Sequence, residues 1–152
     1  MLRIVVIVAL IGFAVYAWRI WQRGRRRMEV ERATADFLRQ KLKLQDDFRA
    51  AANVTGIPRG LRWKSCEFFD PFRLARDKAN GALVGLVGLT IAFEAIEGGG
   101  MEDVEAVGNL RAATAVFSWS GFDWTTNGKA IFNLEPDQVL ERYANDLTPV
   151  KA

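Results

Sequence analysis

The sequence predicts an α+β protein. An N-terminal transmembrane helix comes first, then a long helix packed on a curved four-stranded antiparallel sheet, then a short C-terminal helix. Three observations predict it. Ile4 to Trp18 is an unbroken uncharged, mostly apolar run closed by arginines. Residues 28–55 lack glycine and proline and repeat apolar residues at helical spacing. After Pro58 the chain turns to aromatic-rich, alternating segments cut by turn signals.

A helix crossing hydrocarbon needs about 20 apolar residues at ~1.5 Å rise each. The apolar run reaches that length when Arg3 and Arg19 extend their guanidinium groups to the two interfaces. Tyr16, Trp18 and Trp21 cluster at one end, where amphipathic rings favour the headgroup layer. Arg19, Arg23, Arg25, Arg26 and Arg27 come after the span, and only Arg3 precedes it. The positive-inside bias therefore directs the C-terminal part to the cytoplasm. Arg19, Trp21, Arg23, Arg25, Arg26 and Arg27 are the expected membrane-interface residues.

A cleaved signal peptide competes with this reading, with Val15-Tyr16-Ala17 as the small-residue site. The strong positive cluster lies downstream of that site, which opposes export of the C-terminal part. A mitochondrial-type presequence fits worse, because the apolar run is too continuous to be amphipathic. The expected organisation is an anchor with its basic collar over 1–27, one domain over 28–147, and a loose tail over 148–152.

The chain has 21 Lys plus Arg against 18 Asp plus Glu, yet the basic balance is local. Residues 1–27 hold six arginines and no acid, which leaves fifteen bases against eighteen acids, net −3, in the remainder. A basic collar beside a bilayer is matched to anionic headgroups, so no nucleic-acid partner is expected. Histidine is absent and Cys66 is the single cysteine. That excludes an internal disulfide and the usual zinc, Ser-His and Cys-His arrangements. No cofactor or metal is expected. Cys66 has no visible base and reads as a small packed residue on a strand.

Along the domain, Val30, Ala33, Phe37, Leu44, Phe48 and Ala51 form one apolar helical stripe. Lys41 interrupts it, with a packed stem and an outward ammonium expected. A coiled-coil seam is the alternative, disfavoured by that interruption and the few heptads. Gly56 and Pro58 are the stop. Leu61 to Phe69 is the first strand, broken at Asp70-Pro71 and extended by Arg73 to Asp77. Asn80-Gly81 marks a tight turn. Ala82 to Ile96 is a long second strand with Leu83, Val87, Leu89, Ile91 and Phe93 on one face. Gly98-Gly99-Gly100 opens a loop. Leu110 to Trp119 is the third strand, and Trp124 to Leu134 the fourth, kinked at Asn127-Gly128. Pro136 suits the first turn of the last helix, whose apolar side is Val139, Leu140 and Tyr143.

One long helix followed by four antiparallel strands resembles the element order of cystatin-like domains, where the sheet wraps the helix. The resemblance covers residues 28–134 and rests on element order. It implies a fold and carries over no functional residue.

Three constellations could carry chemistry. Glu94, Glu97, Glu102, Asp103 and Glu105 surround the three glycines, but their spacing fits no known calcium loop. A solvated acidic loop explains them as well. A second set, Trp63, Phe68, Phe69, Phe72, Phe93, Phe117, Trp119, Phe122, Trp124 and Phe132, could line a pocket in the sheet concavity or simply form the core and hairpin-end packing. A third is basic: Arg59, Arg62, Lys64, Arg73, Arg76 and Lys78, balanced by Glu67, Asp70 and Asp77. The glycines near 81–88 match no phosphate-loop fingerprint.

The leading expectation is a single-pass membrane protein whose small cytoplasmic domain binds another protein, as an accessory or scaffolding subunit. Trp119, Phe122 and Trp124, crowded around one hairpin turn, are its expected exposed anchors. The alternatives are a ligand-binding or enzymatic domain using the concavity, with Glu94 as a base, and a self-assembling structural membrane protein. The expected partners are the bilayer and either a protein or a second copy.

Overall fold

The computed structural model describes residues 2–55, 60–70, 72–104 and 108–151, with the side chains of 2–6, 8, 9 and 55 outside the description. Its elements are α1 (Leu2–Thr55), β1 (Leu61–Phe68), β2 (Arg73–Asp77), β3 (Leu83–Ala95), β4 (Arg111–Trp119), β5 (Trp124–Thr125), β6 (Ala130–Phe132), α2 (Pro136–Arg142) and β7 (Leu147–Val150). The molecule is α+β, with one long helix against an antiparallel sheet and one short helix.

The anchor region and the apolar stripe belong to one continuous helix of 54 residues. The only glycine near their junction is Gly24, and an isolated helix glycine costs about 1 kcal/mol, too little to stop helix-forming neighbours. Among the described residues no helix is long and apolar enough to cross a membrane. Several side chains of the expected span, including those of residues 4–6, 8 and 9, lie outside the description.

From Val30 onward α1 packs on the sheet. Val30, Ala33, Phe37, Leu44 and Phe48 are buried, and the stripe ends on Ala52, with Ala51 half-buried. Lys41 donates to Asp70 at 2.6 Å, its stem packed where an apolar residue would continue the stripe. Phe37 stacks on Phe72 at 4.4 Å and meets Phe117 and Trp124 edge-on. Phe48 sits edge-on to Trp63 and Phe68. These rings fill the space between helix and sheet.

The sheet is antiparallel, and from β1 to β6 it is a meander. β1 and β2 pair successive stretches of β3 on the same side, so they are one strand interrupted near Asp70. Pro71, at the expected break, lies outside the described residues. β4 pairs the other side of β3, and β5 and β6 both pair β4, again as one interrupted strand. The second interruption has a steric cause. Gly128 has φ +76°, and a Cβ there would overlap the Ala52 nitrogen of α1. Leu83, Val87, Leu89, Ile91 and Phe93 of β3 all face the core, as alternation requires.

Two features differ from expectation. Leu110 lies before β4 and is exposed. The segment expected to be a loose tail is instead β7, paired antiparallel to β2 with Leu74 opposite Val150 and Asp77 opposite Leu147. A tight turn after α2 brings it there, with the Leu147 amide donating to the Tyr143 carbonyl at 2.8 Å. Pro149 has no amide to donate, which an edge strand tolerates. On the sheet face away from α1, α2 starts at Pro136 and buries Val139, while the Thr114 hydroxyl donates to the Leu134 carbonyl at 2.7 Å.

Candidate functional site

The hairpin between β4 and β5 was the expected interaction site, and the structure divides its three rings. Trp119 and Trp124 are buried, 6% and 2% exposed, whereas Phe122 is 84% exposed. The expectation that all three project outward is corrected. Trp119 and Trp124 are directly opposite in the strand pairing, which sets their indoles side by side at 5.4 Å on the core face. Trp124 Nε1 donates to the Ala33 carbonyl of α1 at 2.8 Å, so the ring closes against the helix. Only Ser120 to Asp123 form the wet tip.

That tip is held by its own hydrogen bonds. The Ser120 amide donates to the Asp123 carbonyl at 2.9 Å, and the Asp123 amide to Ser120 Oγ at 3.1 Å. Gly121 takes φ +103°, which places Phe122 outward. The tip lies beside α1, since Gln40 Nε2 stands 3.5 Å from Asp123 Oδ1. Gln40 is held in turn by the buried Asp36 carboxylate, at 2.8 Å. Trp119 Nε1 and Trp63 Nε1 are buried without a hydrogen-bond partner among the described residues.

The collar residues Arg19, Trp21, Arg23, Arg25, Arg26 and Arg27 are all exposed on α1. Arg25 stacks its guanidinium 4.4 Å from the Trp21 ring centroid, a cation–π contact. Arg27 pairs with Glu31 at 3.0 Å.

The other constellations are largely committed to internal contacts. Glu94, the candidate base, is ion-paired to Arg62 at 2.5 Å. Arg73 forms a two-pronged bond to Asp137, at 2.7 and 3.0 Å, which holds the Asp137 carboxyl below its usual range. Arg76 bridges Glu29 at 2.9 Å and the Gly81 carbonyl at 2.6 Å. Lys78 donates to the Ala144 carbonyl. In the acidic loop, backbone amides lower the Glu102 carboxyl, its own first and then those of Gly98, Gly100 and Met101. Glu105 lies outside the described residues. Among the described residues no cluster of three metal-ligating side chains exists. Gly60 and Gly99 serve packing, since a Cβ on Gly99 would stand 2.8 Å from the Gly60 Cα.

Cys66 is half-buried, and burial pushes its thiol up to about 11 against the opposing pull of Arg49. Arg49 Nη2 donates to the Cys66 carbonyl at 3.0 Å, which covers part of the free edge of β1. A thiol held protonated is a poor nucleophile. On the outer face of the sheet, Phe69, Asp70, Arg73, Thr90, Glu135 and Asp137 surround a cavity of about 230 Å³. Its Arg73 and Asp137 are paired with each other, and Asp70 with Lys41.

No protein-family model, curated protein or solved structure matches this chain.

Proposed function

We propose that the chain is a single-pass membrane-anchored protein whose small cytoplasmic domain binds a protein partner, as an accessory or scaffolding subunit. The observation that carries this reading is the continuity of α1. Val30, the first core residue, comes three positions after Arg27, with no loop between collar and domain. An anchor at the start of α1 therefore holds the domain at a fixed height over the bilayer. The cystatin-like order of helix and meander supplies the scaffold and nothing of the chemistry.

Phe122 is the proposed anchor for the partner. The hairpin lies beside α1, with Trp124 against Ala33 and Asp123 of the tip against Gln40. Those residues are ~9 and ~20 Å past Arg27 at ~1.5 Å per residue. The headgroup layer adds only about 5–7 Å to the hydrocarbon core on each side. A large exposed ring at that height is suited to a protein surface rather than to lipid. The test is co-purification from native membranes solubilised in mild detergent, with Phe122→Ala compared against the wild type. Loss of a reproducible partner from a folded variant supports the reading. Retention of every partner by the variant rejects Phe122 as the anchor.

A further inference from the structure

Where α1 leaves the collar it meets the C-terminal strand, and a cavity of about 460 Å³ opens between them. Arg26, Arg27 and Glu31 of α1 form one wall, while Arg76 of β2 and Lys151, just past β7, form the other. Val30 and Val150 supply apolar surface between the walls. Four cations thus surround one lining carboxylate. Glu31 accepts from Arg27, and Glu29, beside the cavity, accepts from Arg76. With Glu29 counted, the described side chains of the cluster keep two positive charges in excess. The two acids hold two guanidiniums in place. Among the described residues, Arg26 and Lys151 have no ion-pair partner.

Height decides what can enter. A span of about 20 residues starting at Arg3 ends at Gln22. Arg26 is then ~6 Å farther along the axis. That is the outer boundary of a headgroup layer about 5–7 Å thick. We propose that this notch clasps the phosphate of an anionic phospholipid headgroup, so that the C-terminal strand as well as α1 is tied to the bilayer surface. The proposal rests on the membrane-anchor reading above. It differs from the general attraction of the collar for anionic lipid, because Arg76 and Lys151 lie outside the anchor and close on the phosphate from the far side. Guanidinium forks form charge-assisted bonds to phosphate oxygens.

The test titrates the full chain in mild detergent with dihexanoyl-phosphatidylglycerol, dihexanoyl-phosphatidylcholine or inorganic phosphate, with bound molecules counted by native mass spectrometry. Phosphatidylglycerol is expected to bind one site at least about tenfold more tightly than either other probe. Arg26→Gln together with Lys151→Gln is expected to erase that preference. Neither residue has an ion pair among the described residues, so this variant keeps the fold. Arg76→Gln, which also loses the Glu29 bridge, is a second variant. Equal affinity for the two lipids, or an unchanged preference in the Arg26/Lys151 variant, overturns the proposal. Inorganic phosphate binding as tightly as phosphatidylglycerol overturns the lipid as the source. Alkaline extraction of native membranes reads the anchor separately. A protein that is extracted yet prefers phosphatidylglycerol in detergent loses the anchor and keeps the notch. One that stays embedded without that preference loses the notch alone.

Discussion

At the scale of the residue, the β4–β5 hairpin separates two roles that look alike in sequence. Trp119, Phe122 and Trp124 are all large rings within six positions. Strand pairing puts the two tryptophans in the core, while the turn puts Phe122 in water. Their energetics should therefore part. Trp124→Ala is expected to cost about 3–5 kcal/mol in denaturant unfolding of the detergent-solubilised chain. Trp124→Phe isolates the bond to the Ala33 carbonyl and should cost about 1–2 kcal/mol, part of it from volume. Phe122→Ala should change stability by no more than about 0.5 kcal/mol. A Phe122→Ala loss as large as that of Trp124→Ala would show the ring is structural. Cys66 gives a second prediction. Its thiol is raised from an ordinary 9.0 to about 11 by burial, so alkylation should be slow near neutral pH and climb steeply toward pH 11. Because the folded value is the higher one, the thiol's contribution to stability is fully present below pH 9. It is lost as pH rises through about 11, because the unfolded thiol ionises first. An alkylation rate at pH 7 equal to that of an unfolded control would contradict the burial.

At the scale of the element, the features legible in the sequence were those that local pattern controls. The α1 stripe reads from three- and four-residue spacing, and β3 reads from alternation between Leu83 and Phe93. The breaks read from Asp70 and from Asn127-Gly128. β7 was not legible, since Leu147-Thr148-Pro149-Val150 carries no strong pattern and is ordered by pairing with a distant edge, β2. The burial of Trp119 is hidden for a related reason, because cross-strand register is not a property of either segment alone. The continuity of α1 is not legible in the sequence, because two different apolar patterns meet at Gly24 without any stop signal. Two elements can be tested directly. Gly128→Ala must place a Cβ against the Ala52 backbone at φ +76°, so it should cost roughly 1–3 kcal/mol or more of stability and lower the thermal midpoint with it. A midpoint equal to wild type would mean the loop moves off α1 freely. Truncation after Asp146 removes β7 and bares the edge of β2. Lower stability and concentration-dependent self-association are expected, read by light scattering. A monodisperse, equally stable truncation would show that β7 only rests on the edge.

At the scale of the whole molecule, the arrangement of charge and the rigidity of α1 make one joint prediction. The arginines from Arg19 to Arg27 lie on the domain side of the apolar run, and the remainder of the chain is net −3. Positive charge within about 15–20 residues of a span is retained in the cytoplasm, while acidic residues contribute little. A reporter that works only in the cytoplasm, fused after Ala152, should therefore be active. It needs a flexible linker, because β7 ends at Val150 and must keep its pairing with β2. Replacing Arg23, Arg25, Arg26 and Arg27 with Gln should shift part of the population to the opposite orientation. The domain should remain folded in both orientations, since its core begins at Val30 and uses none of those four side chains. Activity from an export-dependent reporter with the collar intact, or a mature N-terminus at Trp18, would show that the apolar run is a cleaved leader. The same result would leave the domain free of the bilayer, and the height that sets Phe122 above the headgroups would lose its meaning.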